Sequence, residues 1–290
     1  MILVDMNQVM VSNLMVQIGG RDVDLDEELV RHMVLNSLRS YRSKFSKEYG
    51  ELIICCDDKN YWRKKIFPFY KANRKKARNE SGLDWSLLFK CLNNIRDEIK
   101  EHFPYKVIQI ATAEADDIIG TIVHDLEGAH LMNGQSKPVL ILSGDKDFIQ
   151  LQKYANVSQY DTVRKRWIKH TSPEHYLIEH IVKGDRGDGV PNILSKDDCF
   201  INGRQRPLRT KLLNTFIDQR NIEEVENSLG EYKTNWYRNR KMVDLTMVPE
   251  DIKLQVKEQY THEASNSRDK LFPYFMSRKL KNLIEHIGDF

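Results

Sequence analysis

Two aspartates follow directly behind an apolar run in the segment VLILSGDKDFIQL, residues 139–151. The run has the composition of a buried strand, so Asp145 and Asp147 stand where that strand ends. Two carboxylates this close repel each other unless a positive group lies between them. The pair therefore predicts a cation at the end of this strand.

Other acidic residues stand at equivalent points of the chain. Asp5 follows the apolar residues ILV, and Asp57 follows ELIICC. Glu114, Asp116 and Asp117 open a predicted helix after a third strand, where acids also serve as helix caps. In a parallel α/β sheet, ligands bind beyond the carboxyl ends of the strands. At least four junctions on one edge of the predicted sheet thus carry a carboxylate.

The electrostatic cost of this arrangement indicates metal ions. Two carboxylates about 6 Å apart repel by roughly 3 kcal/mol at an effective dielectric constant of 20. Five or six converging carboxylates would exceed a typical domain's stability of about 5–15 kcal/mol. Unless several are protonated, the edge must hold cations. Ligands that are all oxygen atoms suit Mg²⁺ or Mn²⁺ rather than zinc. The nine histidines are dispersed along the chain and are interpreted as surface or core residues.

A further acidic pair occurs in IVKGDRGDGVPNI, where Asp185 and Asp188 flank a glycine-rich turn. The sequence D-G-x-P alone is an ordinary turn signal. Near a metal site, these two carboxylates could also reach a second ion.

A basic block lies between residues 59 and 78, with nine Lys or Arg and no acid. It is interleaved with Tyr, Trp and Phe, a pattern that favours a phosphate-bearing partner over a merely soluble basic helix. Combined with a two-metal centre, the block indicates phosphodiester cleavage. Without it, a phosphatase or an aspartyl-phosphate receiver domain would explain the acids equally well.

The elements that must position these residues alternate between strand and helix in the first 150 residues. Strands are predicted at 2–4, 51–56, 106–110 and 138–143, and helices at 25–45, 84–103 and 114–127. This alternation predicts a mainly parallel, doubly wound α/β sheet. Residues 157–170 are predicted to form a hairpin or an edge segment. Further helices are predicted at 173–183, 207–219, 235–245, 249–260 and 270–287. We expect a domain boundary near 170, with an α/β domain at 1–170 and a smaller all-helical domain at 171–290.

Composition is that of a soluble globular protein, with 30% charged residues, 40% apolar residues and a net charge of +3. No apolar run approaches the roughly 18–20 residues that span a bilayer. The N-terminus lacks the basic region of a signal peptide. Four scattered cysteines without a C-x-x-C pair favour a reducing cytoplasm over a disulfide framework or zinc site.

Five motifs, in order, resemble those of the 5′ nuclease (flap endonuclease) family: LVDMNQ, CCDDKNYWR with FYKANRKKAR, AEADDIIG, LSGDKDFIQL and KGDRGDGVP. The likeness is closest to the T-even-type bacteriophage branch, whose members act as ribonuclease H and 5′→3′ exonuclease, and it covers nearly the whole chain. It implies a nuclease of the PIN-like α/β fold with two Mg²⁺ ions, for which Mn²⁺ can substitute.

The resemblance also implies individual roles. The first-metal ligands would be Asp5, Asp57, Asp116 and Asp145, with Glu114 in support, and the second-metal group would be Asp147, Asp185 and Asp188. Asp58 and Asp117 are left open as ligands. Residues 59–82 match the family's helical arch, through or beneath which a 5′ single strand passes. Lys71 and Arg74 match cations that approach the scissile phosphate, as catalytic residues beside Asp145 and Asp147. Tyr70 matches a stacking residue, and Arg63 and Lys75 match strand contacts.

The chain departs from the family after KGDRGDGVP. Many members continue with a G-I-G-x-K-T-A element that grips duplex backbone and often a K⁺ ion. Here the segment NILSKDDCFINGRQRPLRTKLLNTF lacks those glycines, which puts a K⁺ site in doubt. Arg204, Arg206, Arg209 and Lys211 are expected to hold duplex phosphates, against the alternative of a solvent-exposed basic loop.

The predicted function is a Mg²⁺-dependent 5′→3′ exonuclease and flap endonuclease acting on DNA and RNA–DNA duplexes with 5′ ends or flaps. By resemblance it removes RNA primers from lagging-strand fragments in phage DNA replication, as a monomer in the host cytoplasm. The resemblance also implies a phage single-strand-binding protein and a sliding clamp as partners. Two alternatives are a non-catalytic, structure-specific DNA-binding protein of the same fold and a PIN-type single-strand ribonuclease.

Overall fold

The structure is a computed structural model that describes residues 1–18, 26–81, 83–133, 136–262 and 266–290. Its strands are β1 Ile2–Asp5, β2 Leu52–Cys56, β3 Lys106–Gln109, β4 Val139–Leu142, β5 Val157–Asp161 and β6 Arg166–Ile168. They form one sheet in the order β3-β2-β1-β4-β5-β6. The first five are parallel, and β6 pairs with β5 in the antiparallel sense. The predicted mainly parallel, doubly wound sheet is confirmed.

The helices of the first half are α1 Met6–Ile18, α2 Glu27–Tyr49, α3 Trp62–Ile66, α4 Asn73–Glu80, α5 Trp85–His102 and α6 Ala115–Asn133. Those of the second half are α7 Pro173–Lys183, α8 Cys199–Asn202, α9 Thr210–Ile217, α10 Ile222–Glu226, α11 Lys233–Val243, α12 Glu250–Thr261, α13 Leu271–Ser277 and α14 Lys281–Ile284. Five 3₁₀ helices lie at Lys146–Lys153, Gly230–Tyr232, Leu245–Met247, Arg268–Lys270 and Ile287–Asp289 within the described residues.

Several of these elements differ from the sequence prediction, since α8 and α10 lie where loops were predicted and two further differences have an identifiable cause. Helix α1 was not predicted, because its apolar residues do not form a single stripe at helical spacing. The helix predicted at 270–287 is broken into α13 and α14. Between them, Lys279 adopts a left-handed conformation with φ of 55°, which an α-helix cannot accommodate.

Three apolar cores hold the elements together. One lies between the sheet and α1, α2 and α5, and α13 and the terminal Phe290 also pack there. The second, on the opposite face, is closed by α6 and α12. The third surrounds the fully buried Trp236 and joins α7, α9 and α11 to Phe67 and Tyr70 of the basic block. The segment behind residue 245 therefore packs on the sheet, while the predicted boundary near 170 stays a prediction.

The topology sets the position of the site. The strand order reverses between β1 and β4, and at such a switch point the loops diverge and leave a crevice at the carboxyl ends of the strands. No described helix combines the length and hydropathy needed to cross a bilayer.

Candidate functional site

Three carboxylates meet at the switch point because β1 lies between β2 and β4. Asp5 is the last residue of β1, Asp57 follows β2 immediately, and Asp145 stands three residues beyond β4. The hydroxyl of Ser143 donates to Asp5 Oδ2 at 3.0 Å and so links the ends of β1 and β4. The parallel sheet therefore brings these three carboxylates to one edge, as the sequence pattern predicted.

The start of helix α6 brings in a fourth carboxylate. The Ala115 amide, at the helix N-terminus, donates to Asp57 Oδ1 at 2.7 Å, and Asn7 Nδ2 donates to Asp57 Oδ2 at 2.9 Å. Asp116 lies in the first turn of the same helix. We call Asp5, Asp57, Asp116 and Asp145 the acidic edge.

Burial and neighbouring negative charges raise the pKa of all four carboxylates of the acidic edge. Burial, together with the charges of Asp57 and Asp145, raises the pKa of Asp5 to about 8. Burial and neighbouring Asp147 raise the pKa of Asp145 to about 7. The pKa of Asp116 is raised by burial and by Asp145 and Asp5, and that of Asp57 chiefly by burial. A charged form that is disfavoured in this way is the form that a bound cation would stabilise.

On one flank of the acidic edge, carboxylates are instead matched by cations. Glu114 accepts hydrogen bonds from Arg63 at 2.9 Å and from Lys71. Asp188 pairs with Arg74, and Lys71 Nζ lies 3.5 Å from its Oδ2. Burial would raise the pKa of Asp188, but Lys71 and Arg74 outweigh burial and hold it below its ordinary value. We call this group the paired flank.

The backbone at Lys71 is held in an unfavourable conformation. Its φ is 57°, in the left-handed region that a lysine rarely adopts, and its amide donates to the Asp188 carbonyl at 2.7 Å. Strain of this kind persists only where the surroundings impose it, and it clusters at functional sites. The conformation fixes the lysine beside both carboxylates of the paired flank.

The turn after α7 carries the second acidic pair. Gly184 has φ of 67°, and a Cβ there would lie 2.4 Å from the Val190 carbonyl oxygen, so the turn requires glycine. The Asp188 amide donates to Asp185 Oδ1 at 3.1 Å. The two carboxylates diverge from this turn, since Asp188 joins the paired flank and Asp185 faces Asp147 and α7.

A histidine completes this part of the site and corrects the sequence interpretation. His180 of α7 places Nε2 2.9 Å from Asp147 Oδ1 and 3.8 Å from Asp185 Oδ2. Burial would lower its pKa, but the charges of Asp147, Asp185 and Asp145 raise it to about 9. The reading of the histidines as surface or core residues away from the metal centre is therefore wrong for His180. In the sequence, the signal that could have indicated this role is the position of His180, one helical turn before the acidic motif KGDRGD.

Two residues expected to contact a nucleic-acid strand are buried instead. Arg63 is 2% exposed, donates to the Met242 carbonyl and pairs with Glu114. Tyr70 is 3% exposed, and its hydroxyl oxygen lies 3.0 Å from carboxylate oxygens of both Glu114 and Asp188, so that its one proton can be donated to either. Both side chains stabilise the paired flank from inside, and neither offers a surface to a base.

The acids left open as ligands also have protein partners. Asp117 is fully buried, accepts from Trp62 Nε1 at 2.9 Å and pairs with Arg63 at 2.8 Å. Asp58 Oδ2 accepts from the Thr112 amide at 2.9 Å. These contacts give each a structural role.

The remaining basic residues lie mostly at the surface. Arg74 is exposed, and the side chain of Lys75 lies outside the described residues. The four cations expected to hold a duplex are exposed on and next to one loop, namely Arg204, Arg206, Arg209 and Lys211. That loop is anchored to the protein, because Asn192 Nδ2 donates to the Arg206 carbonyl at 2.8 Å and the Arg206 amide donates to Ser195 Oγ at 2.8 Å.

The donors present fit divalent metal ions. The acidic edge collects oxygen ligands whose charge the neighbouring side chains leave largely uncompensated. Asp147, Asp185 and His180 each offer one ligand atom, all within 4.8 Å of one another. Together, fold and site define a doubly wound α/β protein with a centre of buried, largely uncompensated carboxylates at its switch point.

Comparison with known proteins identifies the family. A family model described as "5'-3' exonuclease, N-terminal resolvase-like domain" matches residues 24–180, and one described as "T4 RNase H, C terminal" matches residues 171–290. The chain is 32% identical to a ribonuclease H of Enterobacteria phage T4, over 99% of this chain and 95% of that protein. It is 27% identical to a 5'-3' exonuclease of Buchnera aphidicola subsp. Schizaphis graminum, over 89% and 87% of the two chains.

A solved structure shares the fold. The flap endonuclease of bacteriophage T5, in a complex with DNA and metal ions, matches with a TM-score of 0.58 and 18% identity, covering 89% of this chain and 97% of that one. The chain belongs to the 5′–3′ exonuclease family, with a C-terminal segment of the T4 ribonuclease H type, and is a 5′ nuclease. The resemblance found in the sequence motifs is confirmed.

Proposed function

We propose that this protein is a Mg²⁺-dependent 5′→3′ exonuclease and flap endonuclease that hydrolyses phosphodiester bonds in DNA and RNA–DNA duplexes. One observation carries the proposal. Buried carboxylates converge at the switch point without matching cations among the described residues, and Lys71 and Arg74 lie beside them, paired with Glu114 and Asp188. A carboxylate centre next to fixed cations is suited to phosphoryl transfer, where positioning and charge stabilisation supply most of the catalysis.

Two Mg²⁺ ions, or Mn²⁺ in their place, would be held by this chain's carboxylates. The first would take the acidic edge, and the second would take Asp147 and Asp185, with Asp188 nearby. When bound, the ions supply an activated water and neutralise charge on the phosphate. The expected products carry a 5′-phosphate and a 3′-hydroxyl.

The chain's own contribution is to place and neutralise the scissile phosphate. Lys71 is held against Glu114 by the protein, so it needs little reorganisation to meet developing negative charge. Arg74 is exposed while its guanidinium contacts Asp188, so it can meet a phosphate entering from solvent. No side-chain nucleophile is required, because water is the attacking group.

A basic cavity supports binding of a 5′ single strand. The cavity has a volume of about 670 Å³ and is lined in part by Lys59, Lys64, Lys71, Arg74 and Arg78. Tyr61 and Trp85 also line it and offer aromatic surface. Cations that follow a backbone, combined with aromatic platforms, are what binding of single strands without sequence preference requires.

The exposed arginines of the 204–211 segment would hold the duplex part of the substrate by its phosphates. Such contacts position a duplex without reading its sequence. Binding should weaken steeply between 50 and 200 mM salt, because each phosphate contact releases counterions. A shallow salt dependence would contradict both the strand cavity and the duplex contact.

The biological role that follows is removal of RNA primers from lagging-strand fragments during phage replication in the host cytoplasm. Contacts with a phage single-strand-binding protein or sliding clamp, and the monomeric state, remain predictions from the family resemblance.

The decisive experiment is cleavage of a nicked duplex whose downstream strand begins with RNA and carries a 3′ label. With Mg²⁺, short products should be released from the 5′ end, and EDTA should stop the reaction. Tight binding that is insensitive to Mg²⁺, without cleavage, would favour the non-catalytic DNA-binding alternative. Cleavage of free single-stranded RNA in preference to the duplex would favour the PIN-type ribonuclease.

A further inference from the structure

His180 is held in a fixed orientation at the site. Its ring stacks on Tyr176, one helical turn earlier, with centroids 5.9 Å apart and an interplanar angle of 15°. Its side chain is only 13% exposed. The ring therefore cannot turn away freely, and Nε2 stays directed towards Asp147 and Asp185.

The three ligand atoms are spaced as the ligands of one ion. They lie within 4.8 Å of one another. Two atoms that each bind an ion at about 2.0–2.2 Å are separated by at most roughly 4.4 Å, which the side chains can reach by small adjustments. Nε2 of His180 and Oδ1 of Asp147 are both buried, and neither has an aligned hydrogen-bond partner among the described residues.

An ion can reach this position from solvent. A cavity of about 510 Å³ opens beside it, and Gln8, Gly144, Asp145, Tyr176 and Asp185 contribute to its wall. His180 of α7 and Asp185 of the turn after α7 thus line the same open space, and Asp147 contacts His180 from the 3₁₀ helix after β4.

We infer that His180 supplies a nitrogen ligand to the divalent ion held by Asp147 and Asp185, which makes this position select Mn²⁺ or a related transition ion over Mg²⁺. This inference rests on the proposed two-ion nuclease site. Imidazole nitrogen suits transition ions, whereas Mg²⁺ binds oxygen ligands and keeps its water. The acidic edge has no histidine in its described contacts, so the two positions should differ in preference.

The test is pulsed EPR of Mn²⁺ bound to the full chain, in protein that contains either natural-abundance or ¹⁵N-labelled histidine. A directly bound imidazole should give a nitrogen modulation that changes with the isotope, in the wild-type protein and without any substitution. Mn²⁺ bound with no histidine nitrogen signal would overturn the inference.

A matched pair of variants extends the test to affinity. His180→Gln should weaken Mn²⁺ binding at one position by about 10–100-fold and Mg²⁺ binding by less than about threefold. His175→Gln, on the same helix but hydrogen-bonded to Ser172, should leave both unchanged. Unchanged or tighter Mn²⁺ binding in His180→Gln would show that the histidine only forms an ion pair with Asp147, and would reject the inference.

The same measurements distinguish failure of the nitrogen ligand from failure of the proposed nuclease function. Cleavage by the wild-type protein without a histidine signal rejects the nitrogen ligand and leaves the nuclease function standing. Failure to bind any Mn²⁺ and to cleave in its presence rejects both.

Discussion

Two groups of buried charged side chains in this protein are built in opposite ways. Where α2, α5 and α13 meet, Glu98 accepts from Arg31 at 2.7 Å and from Tyr274 at 2.7 Å, and Arg278 pairs with the same carboxylate. We call this group the Glu98 cluster. At the acidic edge, four carboxylates converge, and Lys71 beside them is engaged with Glu114.

The pKa values record this difference. Burial would raise the pKa of Glu98, but hydrogen bonds from Arg31 and Tyr274 hold it below its ordinary value of 4.5. Burial and like charges instead raise the pKa of Asp5 to about 8. A matched cluster stabilises the fold by itself, whereas an unmatched one is destabilising until a cation arrives. The surplus of carboxylates therefore distinguishes a functional site from a structural ion network of similar burial.

The largest effect is expected from Asp145→Asn. The change removes a charge from the acidic edge, and an asparagine oxygen can still accept from the Asp147 amide. Cleavage should fall at least about a thousandfold, since some 4 kcal/mol of transition-state stabilisation depends on the bound cation. In EDTA, the free energy of unfolding should stay the same or rise, because a repulsion is lost. Cleavage rates and urea unfolding measure the two quantities, and activity within tenfold of wild type would contradict the assignment.

Glu98→Gln should do the opposite of Asp145→Asn, lowering the free energy of unfolding while leaving cleavage unchanged. It leaves the buried Arg31 without its main carboxylate, and breaking a buried ion pair on one side costs about 3 kcal/mol or more of folding stability. Cleavage per folded molecule should be unchanged. Glu101→Gln, a surface change on the same helix, is the matched control and should alter the free energy of unfolding by less than about 0.5 kcal/mol. Equal stability of the two variants would refute the contrast between the clusters.

Lys71→Met tests the paired flank, which lies between the two extremes. Removing this cation should lower the cleavage rate by about a hundredfold, because a preorganised charge at the phosphate is lost. Stability should change less than in Glu98→Gln, since Arg63 and Tyr70 still contact Glu114. Lys65→Met, an exposed lysine of the same basic block, controls for general loss of positive charge. A similar rate loss in both variants would mean that Lys71 acts only through bulk electrostatics.

The smallest effect is expected in the pH dependence of stability. The pKa of Glu98 is lowered by folding, so its stabilising contribution is present above pH 4.5 and is lost as the pH falls through the folded-state pKa. The difference in unfolding free energy between wild type and Glu98→Gln should therefore shrink as the pH falls below about 4.5. Urea unfolding from pH 7 to pH 3 measures it, and a difference that stays constant would argue against a charged Glu98 in the folded protein.

The sequence by itself determined the parallel sheet and the convergence of acidic residues at its carboxyl edge. Strand and helix patterns are local, and in a parallel sheet the carboxyl ends of neighbouring strands lie at one edge whatever else surrounds them. That Asp5, Asp57 and Asp145 lie at one edge of the sheet follows from that rule, whereas the adjacency of their strands is set by the observed order β2-β1-β4. The family motifs then indicated the chemistry.

Only the tertiary structure decided which charges are matched. Arg63 lies in a basic block that predicts contact with a nucleic-acid strand, but its guanidinium is buried, where it donates to the Met242 carbonyl of α11 and pairs with Glu114 and Asp117. His180 contacts Asp147, which lies 33 positions earlier in the chain, because α7 packs on the 3₁₀ helix that follows β4. Such partners depend on how helices far apart in the chain pack together, and no local periodicity specifies that. The strand ends could thus be predicted from the sequence, whereas the partners of the side chains there could not.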